Sequence, residues 1–312
     1  MDQPERDDRQ TLTNAMLAPT RERLASVHRR QVHRDPWPDF AAFDPTPWTD
    51  KQRRDAALQW SGRARNEYGS VQQFTIVAHA LSNARVELEV LGCLARLITD
   101  EVRHAELCAA MAMAVWPEGI EREPPVFRWP PPRLPWPMPP PEHPPLLPGA
   151  PAPDLAVAEP TLAWAAGSIL TACCMGETLS KPMLEALVVV TTEPLAEAVA
   201  RQILRDEHLH ATFGWEMLSL LLPRLSADSR ATLQTQLEDD FAGFEQSVCG
   251  ELGIADMAGR EIVIERGEPN LGVLTAEQYA MIFYSCLETE IFPQLHTLGF
   301  DPQTAWSARR RH

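Results

Sequence analysis

Apolar residues recur every three to four positions along most of this chain beyond Thr49, the period of a helix with one buried face, and no stretch alternates in the manner of a strand. The pattern predicts an all-α protein. A first long helix is expected from about Thr49 to Leu81, with Ser82-Asn83 as turn and cap, and a second from Ala84 to Trp116, stopped by Pro117. A third is expected over Leu162 to Val190, with a kink at Pro182, and a fourth from Pro194 to Leu222. Two more follow, over Asp228 to Leu252 and from Thr275, where Thr275 and Gln278 form a capping-box pattern, to about Pro293. Before Thr49 lies a polar extension with one weak helical stretch, Arg21 to Arg34, and a run broken by Pro36, Pro38, Pro45 and Pro47.

Between Pro117 and Pro160 stand 17 of the chain's 29 prolines. Such density forbids helix or sheet and favours an extended polyproline II crossover. The expected organisation is therefore residues 1–50 as the extension, 51–222 as a four-helix bundle whose 117–160 segment is the crossover, and 223–312 as helices packed on it. Two antiparallel hairpins need one long connection to carry the chain back across the bundle, the connectivity of ferritin-like bundles.

With 312 residues the chain can bury a large core. Its net charge of −15 and its scattered basic residues leave no basic face for phosphates, so nucleic acid is not an expected partner. The longest uncharged run, Pro160 to Gly176, is shorter than the ~20 residues of a membrane span and reads as a buried bundle helix. The acidic start has no apolar signal core, which predicts a cytoplasmic protein without a membrane partner. The six cysteines show no CxxC spacing, and disulfides are not expected.

One pattern occurs twice: Glu67 followed by Asp100-Glu101-Val102-Arg103-His104, and Glu177 followed by Asp206-Glu207-His208-Leu209-His210. The related glutamates are 110 and 106 positions apart, a rough internal two-fold. Residues i and i+3 share a helix face, so each Glu-x-x-His can present a carboxylate and an imidazole to one ion. Glu67 is the sole acid between Asp55 and Glu87, which makes it the only choice in its helix. All four glutamates fall on apolar faces: Glu67 with Trp60, Ala64 and Phe74, Glu101 with Leu94 and Leu97, Glu177 with Ala166 and Leu170, and Glu207 with Ala200 and Ile203. Buried unpaired carboxylates are costly, and two divalent metals with two neutral histidines would compensate them. The candidate ligands are Glu67, Glu101, His104, Glu177, Glu207 and His210. Ion-paired core acids or plainly exposed acids are the competing readings. His28, His33, His143, His208 and His296 lack such a context and read as surface residues.

On these residues the chain resembles the ferritin-like di-iron carboxylate proteins over about residues 55 to 222. Asp100 to His104 resembles the D-E-x-R-H signature of bacterial multicomponent monooxygenase hydroxylases and plant acyl-carrier desaturases. The doubled pattern is similar to that of the aminoarene N-oxygenases. The resemblance implies that Asp100 and Asp206 each accept a hydrogen bond from a ligand histidine, and that Arg103 pairs with an aspartate. Because Leu209 replaces the arginine in the second copy, an Arg–Asp pair is expected in one half at most. Cys108 stands where ribonucleotide reductase radical subunits carry their tyrosine, Lys181 near where monooxygenases often have a threonine, and Ile203 where aminoarene N-oxygenases add a histidine. Cys108, Cys173, Cys174 and Lys181 are candidate pocket residues.

The leading expectation is an enzyme: a di-iron oxygenase or oxidase using two Fe ions and O2 on a small organic substrate by hydroxylation, amine N-oxygenation or desaturation. Manganese in one position would suit the same ligand types. No GxGxxG loop or iron–sulfur cysteine set is present, so an external electron donor, a ferredoxin or reductase, is implied. A homodimer is compatible with this reading. The alternatives are a ferroxidase or other iron-handling protein, and a metal-free helical scaffold.

Overall fold

The computed structural model describes residues 21–33, 36–117 and 155–309. Among them there is no strand, and the chain forms an all-α bundle. Most of the proline-rich segment, and His143 with it, lies outside the described residues.

Helix α1, Glu22–Val32, precedes the bundle and packs on its second rod. Helix α2, Asp50–Asn83, starts at a capping box in which Thr49 Oγ1 accepts from the Gln52 N–H while the Gln52 side chain accepts from the Thr49 N–H. Helix α3, Leu88–Val115, begins four residues later than the sequence pattern suggests. Between α2 and α3 the chain reverses at Arg85, whose φ of 57° is left-handed. Val86 N–H donates to Leu81 O and Arg85 N–H to Ser82 O, and the buried Val86 and Leu81 side chains accompany this turn. That is a Schellman ending, normally announced by glycine and hidden here by an arginine.

The third rod is longer than expected. It comprises α4, Leu155–Ile169, a π-helical segment, Leu170–Glu177, and α5, Thr178–Val190. Pro160 is an exposed residue of α4 rather than the end of a crossover, because one missing backbone bond is tolerated beside the buried run that follows. Pro182 likewise lies within α5. Its ring denies the Thr178 carbonyl its α-helical N–H, and the Cys286 thiol donates to that oxygen instead at 3.5 Å. The irregular backbone hydrogen bonding of this rod lies in the wider π-helical turn just before α5.

Helix α6, Pro194–Leu221, closes the bundle. Helix α7, Ala227–Cys249, short α8, Ile254–Met257, α9, Ala276–Cys286, a second π-helical turn, Leu287–Ile291, α10, Phe292–Thr297, and α11, Pro302–Ala308, follow. The last helix was not legible as one. α7 packs on α4 and α9 on α5. Trp60 in α2 donates to Leu271 O at 2.8 Å, and Gly272, with φ of 87°, sits so close to the indole that a Cβ would approach it to 2.6 Å.

Two apolar clusters fill the bundle, one at each end. Phe74, Leu81, Leu94, Trp164, Leu170 and Leu221 belong to the first, and Trp60, Leu107, Met111, Leu187, Val199 and Ile203 to the second. Their positions give the direction of each rod: α2 runs from the second cluster to the first, α3 returns, the third rod starts again at the first, and α6 returns to it. The chain therefore leaves α3 at one end of the bundle and enters α4 at the other. Among the described residues one helix, Ala158–Val190, has the length and apolar composition to cross a membrane, but 89% of its most apolar window is buried inside the bundle, as in a core helix.

Gly214 in α6 allows the π-helical segment to approach, since a Cβ there would lie 2.7 Å from Cys173 Cβ and 2.8–2.9 Å from the backbone at Cys173 and Cys174. Gly214→Ala is expected to cost roughly 1–3 kcal/mol, because backbone rather than a mobile side chain must yield. Urea unfolding checks this, and an unchanged midpoint would mean that the two rods separate without strain.

Candidate metal centre

Each rod contributes its polar residue between the two apolar clusters. Glu67 comes from α2, Glu101 and His104 from α3, Glu177 from the last position of the π-helical segment, and Glu207 and His210 from α6. Glu101, His104, Glu207 and His210 are fully buried, Glu177 is buried, and Glu67 is partly exposed. One donor atom from each of Glu101, His104, Glu207 and His210 lies within 4.8 Å of the others.

The contacts cross between the sequence repeats. His210 Nδ1 is 2.8 Å from Glu101 Oε1 and 3.5 Å from Glu177 Oε2. His104 Nδ1 is 3.5 Å from Glu207 Oε1 and 3.6 Å from Glu67 Oε2. The Glu of each Glu-x-x-His pair thus meets the imidazole of the other pair, while Glu67 and Glu177 approach His104 and His210 from outside. Glu101 and Glu207 stand between two imidazoles whose centroids are 5.5 Å apart.

Both rings turn Nδ1 inward and Nε2 toward an aspartate. His104 Nε2 is hydrogen-bonded to Asp206 Oδ2 at 3.3 Å, and His210 Nε2 faces Asp100 Oδ2 at 3.6 Å, an electrostatic contact longer than a hydrogen bond. The aspartates are themselves held. Arg96 binds both oxygens of Asp100, at 2.9 and 2.8 Å, and reaches Asp206 at 3.3 Å. Arg103, buried, is 3.3 Å from Asp206 and donates to Gln202 Oε1 at 2.7 Å. The signature arginine, Arg103, thus serves one aspartate, Asp206 of the other repeat, and Asp100 is held instead by Arg96, which lies outside the signature. Arg96 lies one turn before Asp100, so helical spacing alone pairs them, and the absence of arginine at position 209 does not matter. Gln202 stands one turn before Asp206 in the same way.

These residues fit a pair of cations. Both carboxylate oxygens of Glu101 and of Glu207, His104 Nδ1 and both ring nitrogens of His210 are buried without a hydrogen bond. Even the short His210–Glu101 approach has the wrong angle for one. Orphaned buried polar atoms of this kind each cost about 1–3 kcal/mol or more, and here they converge on one point. The cluster of hard oxygens and imidazoles can hold a dinuclear metal site.

Charge within the layer follows from burial. Burial pushes the Glu101 carboxyl well above its usual range, with the Glu177 and Glu67 charges adding to it, and burial with the Glu177 charge does the same to Glu207. Burial would lower His104, but its contacts with Asp206 and Glu67 outweigh it and raise the pKa to about 10. His210 is also raised against burial, by Asp100 and Glu101. For Glu67 burial is opposed by the His104 contact and charge, which hold its carboxyl below the usual value.

A cavity of about 430 Å³ reaches the centre from the side of Glu67 and Glu177. Leu179, Met183, Phe244 and Val248 form its apolar wall, and Arg65 and Gln73 lie on its polar side. None of the four pocket candidates lines it. Cys108 and Cys174 are buried in the apolar clusters, Cys173 packs against Gly214, and Lys181 lies 3.8 Å from Glu185 with its side chain 37% exposed. The reason is rotation along the third rod, where the π-helical turn presents Ala172 and Gly176 to the cavity and the two cysteines to the core. Burial, then the charges of Glu67 for Cys108 and Glu177 for Cys173, raise both thiols well above the ordinary value, and burial does so for Cys174. Phe244 and Val248 belong to α7, which carries no chemical motif, and only packing against the bundle brings them here.

Compared with protein-family models, with curated proteins and with solved structures, the chain finds no match in any of the three.

Arg96→Ala removes the Nε–H that both Asp100 oxygens share and is expected to weaken metal binding by about 10–100-fold while leaving helicity unchanged. Competition with a chelator measures this, and unaltered affinity would show that Asp100 needs no anchor. A second expectation concerns protons. The pKa values of Glu101, Glu207, His104 and His210 are all raised and each group must be deprotonated to bind a cation, so metal affinity is expected to fall, with protons released on uptake, as the pH falls. Calorimetric binding heats should then depend on the buffer's ionisation enthalpy. Identical heats in two such buffers would count against the assigned charge states.

Proposed function

We propose that the chain is a di-iron carboxylate enzyme of the ferritin-like type, an oxygenase or oxidase that uses O2 on a small organic substrate. The observation that carries this reading is the set of buried, unpartnered donor atoms on Glu101, His104, Glu207 and His210 at the bundle's middle. Glu67, Glu101, His104, Glu177, Glu207 and His210 would hold the two irons, and O2 activation is the chemistry that such a pair supplies when bound.

The chain's own residues prepare that chemistry. Asp206 and Asp100 orient the imidazoles so that Nδ1 faces inward, and Arg96 and Arg103 keep the aspartates in place. The apolar clusters on either side exclude water from the polar layer. Glu67 and Glu177 stand where the centre meets the cavity, so a substrate in the cavity would lie beside them. A cavity of about 430 Å³ suits a small organic molecule and favours this reading over iron oxidation alone. Hydroxylation, N-oxygenation and desaturation all suit this ligand set. Electrons would come from an external ferredoxin or reductase, with the protein working in the cytoplasm.

Anaerobically reconstituted protein is expected to bind about two irons per chain and to consume O2 when reduced. Glu101→Ala and His210→Ala should each lose iron and O2 consumption together. Full iron content in both variants would overturn the assignment.

A further inference from the structure

Helix α1 carries a second set of metal-ligating side chains, separate from the six above. His28 Nε2 lies 2.7 Å from Glu106 Oε2, and His33 Nε2 lies 3.1 Å from the same oxygen. Donor atoms of all three residues fall within 4.8 Å of one another. Neither histidine is the isolated surface residue that its sequence context suggests. His33 ends α1, and its backbone, at φ −91° and ψ 43°, leaves the helical path so that both rings reach one carboxylate. Glu106 follows His104 by two positions, roughly 200° around α3, and therefore faces away from the bundle's centre.

We infer that His28, His33 and Glu106 form a separate mononuclear site for a divalent cation of the zinc class. Two imidazoles and one carboxylate are a ligand set that open zinc sites use, with a fourth position left to water. Bonds of about 2.0–2.1 Å in a tetrahedron put neighbouring ligand atoms about 3.3 Å apart. The present 2.7 and 3.1 Å need only a few tenths of an ångström of outward movement. His28 is hydrogen-bonded to Glu106, but His33 Nε2 is buried with no hydrogen bond of acceptable geometry, so the carboxylate alone does not satisfy both rings. Trp37 fixes His33 by stacking at 3.6 Å and 13°, and the two histidine rings meet edge to face. With side-chain exposures of 39%, 16% and 24% for His28, His33 and Glu106, an ion can enter from solvent.

The site's place in the fold gives the cation a role. It ties α1 to α3, and just beyond it Pro36 O accepts from Gln202 Nε2 at 3.0 Å. The other end of that amide accepts from Arg103, which holds Asp206. A cation at His28, His33 and Glu106 therefore fixes the end of α1 three positions before Pro36, whose carbonyl meets the Gln202 amide beside Arg103 and Asp206.

Cobalt(II), a visible-absorbing stand-in for zinc, tests the assignment on the full chain. Wild-type protein should bind about one more Co(II) per chain than the His28→Ala/His33→Ala variant and should show a four-coordinate absorption band that the variant lacks. The band should persist in Glu101→Ala/His210→Ala, which separates this site from the bundle's. A single His28→Gln variant, with circular dichroism unchanged, should weaken the same band at limiting cobalt. Equal stoichiometry and equal spectra for wild type and the double histidine variant would overturn the inference. So would a band lost only with Glu101 and His210. Should the bundle hold no metal at all, about one ion per chain would still bind here and vanish with the two histidines.

Discussion

Keeping acidic side chains inside a helical bundle is the constraint on which the rest of this structure depends. Each rod passes from one apolar cluster to the other, and each carries its charge in the gap between them. A carboxylate moved out of water costs several kcal/mol even after relaxation, and Glu101 and Glu207 recover none of it through hydrogen bonds. The apolar clusters must hold this layer closed, and protons or bound cations can neutralise it. Stability and chemistry therefore draw on the same atoms: what makes the layer unfavourable when empty of metal is what enables it to hold cations.

The surrounding network answers a second problem, that of orientation. An imidazole can turn either nitrogen inward, and a free carboxylate can swing. Here Asp206 and Asp100 take the outward nitrogens, and two arginines from one helix hold both aspartates across the α3–α6 interface. These arginines also offset the charge that the aspartates add. The segment near Pro36 extends the same chain of contacts to the surface through Gln202.

The third rod shows how local irregularity serves the site. Its π-helical segment ends on Glu177, and Gly214 gives it room against α6. Such wide turns are rare inside α-helices and frequently fall at functional sites. The same turn presents Ala172 and Gly176 to the cavity, small residues that leave space beside Glu177. Residues of α7 close the far wall, so the cavity exists only once the helices beyond the bundle have docked.

The all-α class, the hairpin pairs and the six candidate ligands were legible in the residues themselves. Helical periodicity and the i, i+3 spacing of Glu101/His104 and Glu207/His210 are local properties, and a carboxylate on an apolar stripe announces burial wherever the partner lies. The Thr275 capping box and the start at Pro194 were readable for the same reason. The pairing of Arg96 with Asp100 was within reach of the same arithmetic, one turn upstream. What tertiary structure alone decided was the crossing of imidazoles and glutamates between the repeats, the wide turn before Glu177, the exclusion of Cys108, Cys173, Cys174 and Lys181 from the cavity wall, and the meeting of His28, His33 and Glu106. Each of these depends on how far one rod is rotated or shifted against another. That is set by side-chain packing between residues distant in sequence, such as Gly214 against Cys173, and spacing along one helix carries no record of it.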